Sequence, residues 1–394
     1  MTLRYLANSK DRLLNLLMVV QMAGSFRMGI VAPILALLIR RHGVSIVEIG
    51  ILGIAGMLGW LIFEPLSGIL SDRVNRRVMM TFALVSTSII YFLYPFAMGF
   101  IHFLALAFAL SSCYSASSVP TRALLTELLP SAGRGRKYGR YMAMVSGSSV
   151  VAPFIGGYIS EAFGYALPFY AAASAGIISI IAVVLMGNLP EADKRAQKPR
   201  TKLTDVLNAD LLNIYVVRGL YFINFPFRSS FLPIFLNEST SLHATETEIG
   251  TYMTIVSFTT AVSQVFLGDF IDRVGSRKVV VAACSLLALS YLGILATSWM
   301  PLIFAIGALQ GVLQAGGDTS MMVYLMSLQS PGSTGVVMGL YAEAENIGGI
   351  VANPALGYFY TAFGPVSSLL LLSCLLVITS VISAVRLEAA PTSS

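Results

Sequence analysis

Gly68-Ile69-Leu70-Ser71-Asp72-Arg73-Val74-Asn75-Arg76-Arg77 is a short polar, basic stretch between two long apolar runs. It reads as a loop joining two membrane helices on the cytoplasmic side. The chain repeats it later as Gly268-Asp269-Phe270-Ile271-Asp272-Arg273-Val274-Gly275-Ser276-Arg277-Lys278. Gly, Asp, Arg, Val and Arg recur at the same offsets. The glycine permits close helix approach, the Asp can cap or pair at a helix end, and the basic cluster holds the loop at the anionic leaflet. Where the second copy has Gly275, the first has Asn75, a residue that tolerates the left-handed conformation better than most.

Composition places these loops in a membrane protein. The chain has 394 residues, 56% hydrophobic and 11% charged, with a mean hydropathy of +0.79. Soluble domains carry about 25% charged residues. The net charge of +6 therefore speaks of topology rather than nucleic acid, since no aromatic base-stacking motif accompanies the basic residues. Cys113, Cys284 and Cys374 lie in separate apolar runs without metal-ligand spacing, so neither a disulfide framework nor a metal site is implied.

The loop resembles the G-x-x-x-D-R-x-G-R-R signature of the major facilitator superfamily, with Asn75 as its departure. Other features extend the resemblance over nearly the whole chain. Phe26-Arg27 with Pro33 is echoed by Phe227-Arg228 with Pro233, and Gly139-x-Tyr141 by Gly339-x-Tyr341. Gly157-Tyr158 followed by Ala162-Phe163-Gly164 returns as Gly357-Tyr358 followed by Ala362-Phe363-Gly364. The resemblance implies an all-α membrane fold of twelve transmembrane helices in two pseudo-symmetric six-helix bundles, with the substrate site between halves near the midplane.

Apolar runs of spanning length are expected near 13–39, 45–66, 78–98, 101–129, 138–162 and 165–187, then 209–236, 247–268, 279–298, 300–328, 335–362 and 364–386. Residues 1–187 form one bundle and 209–394 the other. The polar segment 188–208, carrying Lys194, Arg195, Lys198, Arg200 and Lys202, is the linker. The first run is too long for a signal-peptide core, and the tail after Glu388 is expected to be disordered. With the N-terminus inside, the cytoplasmic segments collect Arg4, Lys10, Arg12, Arg73, Arg76, Arg77, Arg134, Arg136, Lys137, Arg140, the linker, Arg273, Arg277, Lys278 and Arg386. The external loops hold Arg40 and Arg41 but also Glu238, Glu246 and Glu248. The positive-inside rule then puts both termini in the cytoplasm of a multi-pass plasma-membrane protein.

Weaker signatures bear on mechanism. Ala152-Pro153-Phe154-Ile155-Gly156-Gly157 resembles the G-P-x-x-G-G element in the fifth helix of proton-coupled antiporters, with Ala152 in place of the first glycine. An equally weighted alternative is a kinked, closely packed helix. The arginine expected early in the fourth helix is missing near Phe108. Arg122 lies instead towards the cytoplasmic end, where the signature loop or Glu127 is its expected partner. No sugar-porter signature, phosphate-binding loop, zinc spacing or nucleophile elbow is present, so the chain is expected to be no enzyme and to need no cofactor.

Ionisable residues inside a bilayer are costly, which makes them functional candidates. Arg27 lies mid-way along the first helix and Arg228 in the outer half of the seventh. In the family these related helices border the central cavity, and an arginine pair there is similar to that of its organophosphate exchangers. Two guanidiniums would grip an oxyanion bidentately. The alternative is that neighbouring carboxylates neutralise both. Arg218, nearer the inner end, is expected to snorkel and ranks lower. Gln310, Gln314 and Asp318 fall at i, i+4, i+8 on one face of the tenth helix. Glu343 and Glu345 sit about 200° apart on the eleventh at 100° per residue, so they serve different partners. Glu64 precedes Pro65 in the second helix. Burial disfavours a charged carboxylate, which suits reversible protonation. Asp318, Glu343, Glu345 and Glu64 are thus the proton-coupling candidates, with ion pairs to Arg27, Arg122, Arg218 or Arg228 as the competing role.

Substrate contacts are expected from Arg27, Arg228, Tyr114, Gln310, Gln314 and Asn224, beside the small polar face Ser111, Ser112, Ser115 and Ser118. Gating is expected from Gly68, Asp72, Arg73, Arg76, Arg77, Gly268, Asp272, Arg273 and Arg122. The leading expectation is proton-coupled export of a small anionic or amphipathic organic compound by a monomer in the lipid bilayer. An organic-anion exchanger or importer using the arginine pair is the runner-up, and a lipid flippase on the same fold is the third reading.

Overall fold

The structure is a computed structural model and describes residues 2–71, 74–128, 141, 144–187, 209–239, 242–328 and 334–387. Expectations resting on Asp72, Arg73, the 129–140 loop, the 188–208 linker and the tail after Glu388 lie outside the described residues, as do those on the side chains of Arg4, Lys10 and Glu127.

The described residues are helical and contain no strand. In chain order the elements are α1 (Thr2–Val31), α2 (Leu35–Arg41), α3 (Ile46–Ser71), α4 (Arg76–Leu93), α5 (Phe100–Leu128), α6 (Ala152–Phe163) and α7 (Ala166–Leu185). They continue as α8 (Ala209–Phe222), α9 (Leu232–Glu238), α10 (Glu246–Val274), α11 (Ser276–Leu295), α12 (Met300–Ser327), α13 (Thr334–Phe363) and α14 (Pro365–Arg386). Nine of the described helices are long and apolar enough to cross a membrane. The fifth, seventh and eleventh spans expected from sequence coincide with α6, with the interrupted α8–α9 segment, and with α13. Phe82, Ile101, Val265 and Phe266 are each at least 68% exposed, an apolar surface that only a bilayer covers without cost.

The repeat has local causes. Ser45 accepts from the Glu48 backbone while Glu48 accepts from the Ser45 backbone at 2.7 Å, and Thr245 with Glu248 forms the same capping box. The paired Ala-Phe-Gly triplets end α6 and α13 at Gly164 (φ +92°) and Gly364 (φ +86°), where a side chain would be strained. At the signature loops the two copies differ. Gly275 is left-handed at φ +93°, but Asn75 is not: its φ is −57°, and its side chain accepts from Arg77 N at 2.9 Å. Asn75 replaces glycine by capping α4, not by mimicking its backbone.

The chain forms two compact units. The first comprises Met1–His42 and Ala55–Ala196, the second Gly43–Ile54 and Gln197–Ser394. In the first, α1 packs on α6 and α7, and α4 on α5 and α7. In the second, α8 packs on α13, and α11 on α12 and α14. The contact between α1 and α6 is backbone on backbone: a Cβ at Gly156 would overlap the Ile30 carbonyl oxygen. Ala152 sits against Gly29, where an added Cβ would come within 2.8 Å. The Pro-x-x-Gly-Gly element therefore acts here as a close-packing device.

Candidate functional site

Within the second unit, Arg218 on α8 reaches two carboxylates. Its Nη1 lies 2.5 Å from Asp318 Oδ1 on α12, and its Nη2 lies 2.7 Å from Glu345 Oε1 on α13. Nε donates to the same Glu345 oxygen at 2.8 Å. The guanidinium also stands 5.0 Å above the Tyr341 ring and 5.8 Å from that of Tyr221. Its side chain is only 12% exposed, against 30% for Asp318 and 26% for Glu345. Arg218 therefore does not snorkel, as its position near the helix end implies; two carboxylates and two aromatic rings hold it inside. One guanidinium therefore meets two carboxyl groups, each from a different helix.

The first unit has nothing of the kind at the related positions, which are Leu17, Ser118 and Val145. Leu17 is buried in an apolar cluster with Leu124, Leu125 and Tyr141, and Val145 packs against it. Tyr341 supports a guanidinium where its repeat mate Tyr141 supports leucine.

The repeat-related arginines also part company. Arg27 is fully enclosed. It donates to Thr87 Oγ1 at 3.1 Å and Ser88 Oγ at 3.4 Å and lies 5.0 Å over the Tyr91 ring. Gly176 on α7 makes room for it, since a Cβ there would come 3.0 Å from Arg27 Cζ. The repeat mate of Gly176 is the fully buried Leu376, which leaves no such room in the second unit. Arg228 instead sits on a π-helical turn, Phe227–Phe231, between α8 and α9. It is partly exposed and donates to the neutral Gln314 side chain. The two arginines expected to contact substrate thus differ: Arg27 is walled in, and Arg228 is partly exposed.

Other expected substrate contacts are mostly occupied. Tyr114 shares a hydrogen bond with Tyr91 at 3.0 Å. Gln310, 2% exposed, accepts from Tyr252 and donates to Ser290 Oγ at 3.0 Å. Asn224, 4% exposed, accepts from Tyr291. The stripe on α12 is therefore split: Gln310 belongs to the core, while Gln314 and Asp318 meet arginines. Glu343 accepts from Asn346 at 3.1 Å, whereas Glu345 accepts from Arg218. Glu64 pairs with Arg122 at 2.7 Å, with Arg122 60% exposed. Thr87, Ser88 and Gly176 also shape the site, and no sequence pattern marks them.

A family model for the Major Facilitator Superfamily matches residues 17–219 and again 217–394. The chain belongs to the Major Facilitator Superfamily. It is a membrane transporter and not an enzyme. It is 24% identical over 164 residues to the quinolone resistance protein NorA of Staphylococcus aureus, an alignment that spans 41% of this chain and 42% of NorA. An uncharacterized MFS-type transporter of Methanocaldococcus jannaschii is 19% identical over 378 residues, covering 91% and 94% of the two chains. Among solved structures, a mutant of the nucleoside transporter NupG superposes with a TM-score of 0.84 at 13% identity, over 95% of this chain and 100% of that one. A bacterial homolog of the human lysosomal transporter Spinster, inward-facing and unoccupied, gives 0.75 at 15% identity over 96% and 95%. These likenesses show the superfamily fold.

The superfamily signature can now be placed on that fold. Arg77 donates to the Val184 carbonyl at 2.7 Å, and Arg277 donates to that of Ala384. Each basic loop is thereby tied to a carbonyl in the last turn of α7 or α14, at the negative end of the helix dipole. Arg76 is buried, while Asp272 and Arg273 are exposed. The missing side chains of Gly68 and Gly268 face open space. The close helix approach expected of them is made instead at Gly59, whose Cβ would lie 2.8 Å from the Phe108 carbonyl oxygen.

Proposed function

We propose that this transporter is a proton-coupled exporter of small amphipathic organic compounds bearing an acidic group. It works by alternating access as a monomer in the plasma membrane, with both termini cytoplasmic and residues 188–208 linking bundles 1–187 and 209–394. The observation that carries the reading is the Arg218–Asp318–Glu345 cluster of the second unit, whose counterpart in the first unit is hydrocarbon and serine. Two carboxylates on one guanidinium form an element that a single proton takes from negative to neutral. Intramembrane charge of this kind is costly and is retained where it works. Arg228 is the anchor for the acidic group, because it is charged, partly exposed and, among the described residues, held by a neutral amide. The partial likeness to a quinolone resistance protein supports export and supplies a first probe, since a quinolone joins an aromatic body to a carboxylate. The exchanger reading needs two accessible arginines, and Arg27 offers no access.

The test uses purified protein in proteoliposomes. A quinolone gradient is imposed and lumenal pH is followed. Opposing proton movement is expected. Quinolone flux without proton movement would overturn the coupling; absence of flux across a panel of organic acids would overturn the substrate class.

A further inference from the structure

Gln314 meets both ends of the charged stripe in the second unit. Its side-chain oxygen Oε1 accepts from Arg228 Nη1. An amide has the plane and size of a carboxylate but one acceptor oxygen in place of two, and no charge. Both side chains are partly exposed. A carboxylate that grips the guanidinium fork bidentately therefore displaces the amide, the weaker acceptor.

The displaced amide has a second partner within reach. Gln314 and Asp318 stand at i and i+4 on the continuous helix α12, where Cβ atoms are about 5–6 Å apart and Gln–Asp hydrogen bonds form. A helical side chain leans back over the preceding turn, which directs Asp318 towards Gln314. The backbone between them is fixed. The Tyr221 hydroxyl donates to the Gln314 carbonyl at 3.3 Å, and Gly317 makes room for that ring, since a Cβ there would come 2.5 Å from the Tyr221 hydroxyl. Displacement thus turns the Gln314 side chain and not its helix.

The charged and titratable groups facing Asp318 are Arg218 and Tyr221 from α8 and Tyr341 and Glu345 from α13. Cys284 and Tyr291 from α11 and Tyr252 from α10 lie on the Tyr221 and Arg228 side of the stripe. The first unit has Val20 and Tyr114 where the second has Tyr221 and Gln314, so the link belongs to the half that carries the cluster.

We propose that Gln314 is the positioning residue that couples substrate to proton: the substrate's acid group displaces its amide from Arg228, and the freed Nε2–H donates to the Asp318 carboxyl, whose proton leaves to solvent. A donor on a carboxyl group favours the ionised form. The coupling is reciprocal: protonation of Asp318 returns the amide to Arg228 and expels the substrate. The inference rests on Arg228 as anchor and Asp318 as proton carrier.

Titration calorimetry with nalidixate, a monoanionic quinolone, in buffers of different ionisation enthalpy counts the protons released on binding, after correction for the probe's own titration. Wild type should release protons and bind more tightly as pH rises. Gln314→Met, similar in length but without the amide, should release none, and at the acid end of the range should bind roughly tenfold more tightly than wild type, since the competing hydrogen bond to the cation is gone. Gln314→Glu, which tethers a carboxylate to the anchor, should weaken binding by roughly tenfold or more. Infrared difference spectra give a second readout: nalidixate should remove a protonated-carboxyl band in wild type but not in Gln314→Met or Asp318→Asn. Proton release persisting in Gln314→Met, or weaker binding by that variant at acid pH, would overturn the link and leave anchor and cluster standing. Wild type that bound nalidixate without proton release would overturn it too. Equal binding by wild type and Arg228→Gln would instead remove the anchor, and the link with it.

Discussion

Arg218 and Asp318 stand a hundred residues apart in the chain and meet at 2.5 Å, with Glu345 on the other edge of the same guanidinium at 2.7 Å. Three helices, α8, α12 and α13, are therefore joined through one guanidinium. If the shared proton is the coupling element, freezing either carboxyl as an amide should remove the switch but not the path. Asp318→Asn and Glu345→Gln should each retain exchange between equal substrate pools and lose accumulation driven by a pH gradient. Glu343→Gln, two residues from Glu345 on α13 where Glu343 accepts from Asn346, is the control and should retain both. Uphill transport surviving in both cluster variants would remove these residues from the mechanism.

Arg228 gives a prediction about affinity. Lysine keeps the charge but not the planar fork, so Arg228→Lys should bind an anionic probe more weakly, and Arg228→Gln more weakly still. Loss of a charge-assisted hydrogen bond costs about 1.5–3 kcal/mol, or roughly ten- to a hundredfold in Kd. Titration calorimetry with a quinolone measures it. Unchanged Kd in both variants would move the anchor elsewhere.

Glu64 is one of four proton-coupling candidates in the sequence, and its partner argues for a smaller role. Arg122 is 60% exposed, and an exposed pair is worth about 0–1 kcal/mol. Glu64→Gln should lower Tm only slightly and leave pH-driven uptake in place. Loss of uptake without loss of fold would restore Glu64 as a coupling residue.

Much of this is legible in the chain. Hydropathy and the doubled loop give the spans and the repeat, because a bilayer demands long apolar helices and a duplicated bundle repeats its turn chemistry. Gly164 and Gly364 recur because each ends a helix at positive φ. The site is less legible, because which face of a helix meets which neighbour depends on rotation, and no periodicity reports it. Arg218 reads as a snorkelling residue for that reason; its partners lie on other helices. Arg27 and Arg228 read as equivalent because the repeat aligns them, while the residue that separates them, Gly176 against Leu376, lies on yet another helix. One sequence signal is available. Comparing repeat positions shows Leu17, Ser118 and Val145 against Arg218, Asp318 and Glu345, three changes from uncharged to charged in one half alone.

Glycines offer a test of packing. Gly156→Ala would drive a Cβ into the Ile30 carbonyl oxygen, and neither backbone can yield cheaply. Overpacking of this kind costs about 1–3 kcal/mol. Gly68→Ala and Gly268→Ala meet open space and replace glycine within a helix, so they should be neutral or slightly stabilising. Thermal unfolding should put Gly156→Ala well below the other two; equal Tm values would mean that α1 and α6 are not in backbone contact.

The repeat itself supplies the sharpest test of the charged cluster. Arg218→Leu alone leaves Asp318 and Glu345 without their cation. Removing one member of a fully buried ionic set costs about 3–5 kcal/mol; with Asp318 and Glu345 30% and 26% exposed, solvent screens part of this, and the variant should be destabilised by less. The triple variant Arg218→Leu, Asp318→Ser, Glu345→Val installs in the second unit the residues that the first unit already packs successfully. Replacing a buried ionic set by matched apolar residues is often neutral, or stabilising by about 1–4 kcal/mol. The triple variant should therefore recover a Tm at or above that of the parent while losing pH-driven accumulation entirely. Stability and coupling would then move in opposite directions, which no purely structural role for the cluster allows. A triple variant as unstable as Arg218→Leu would show that the two halves do not share a core. A stable one that still concentrated substrate against its gradient would show that the proton is carried elsewhere.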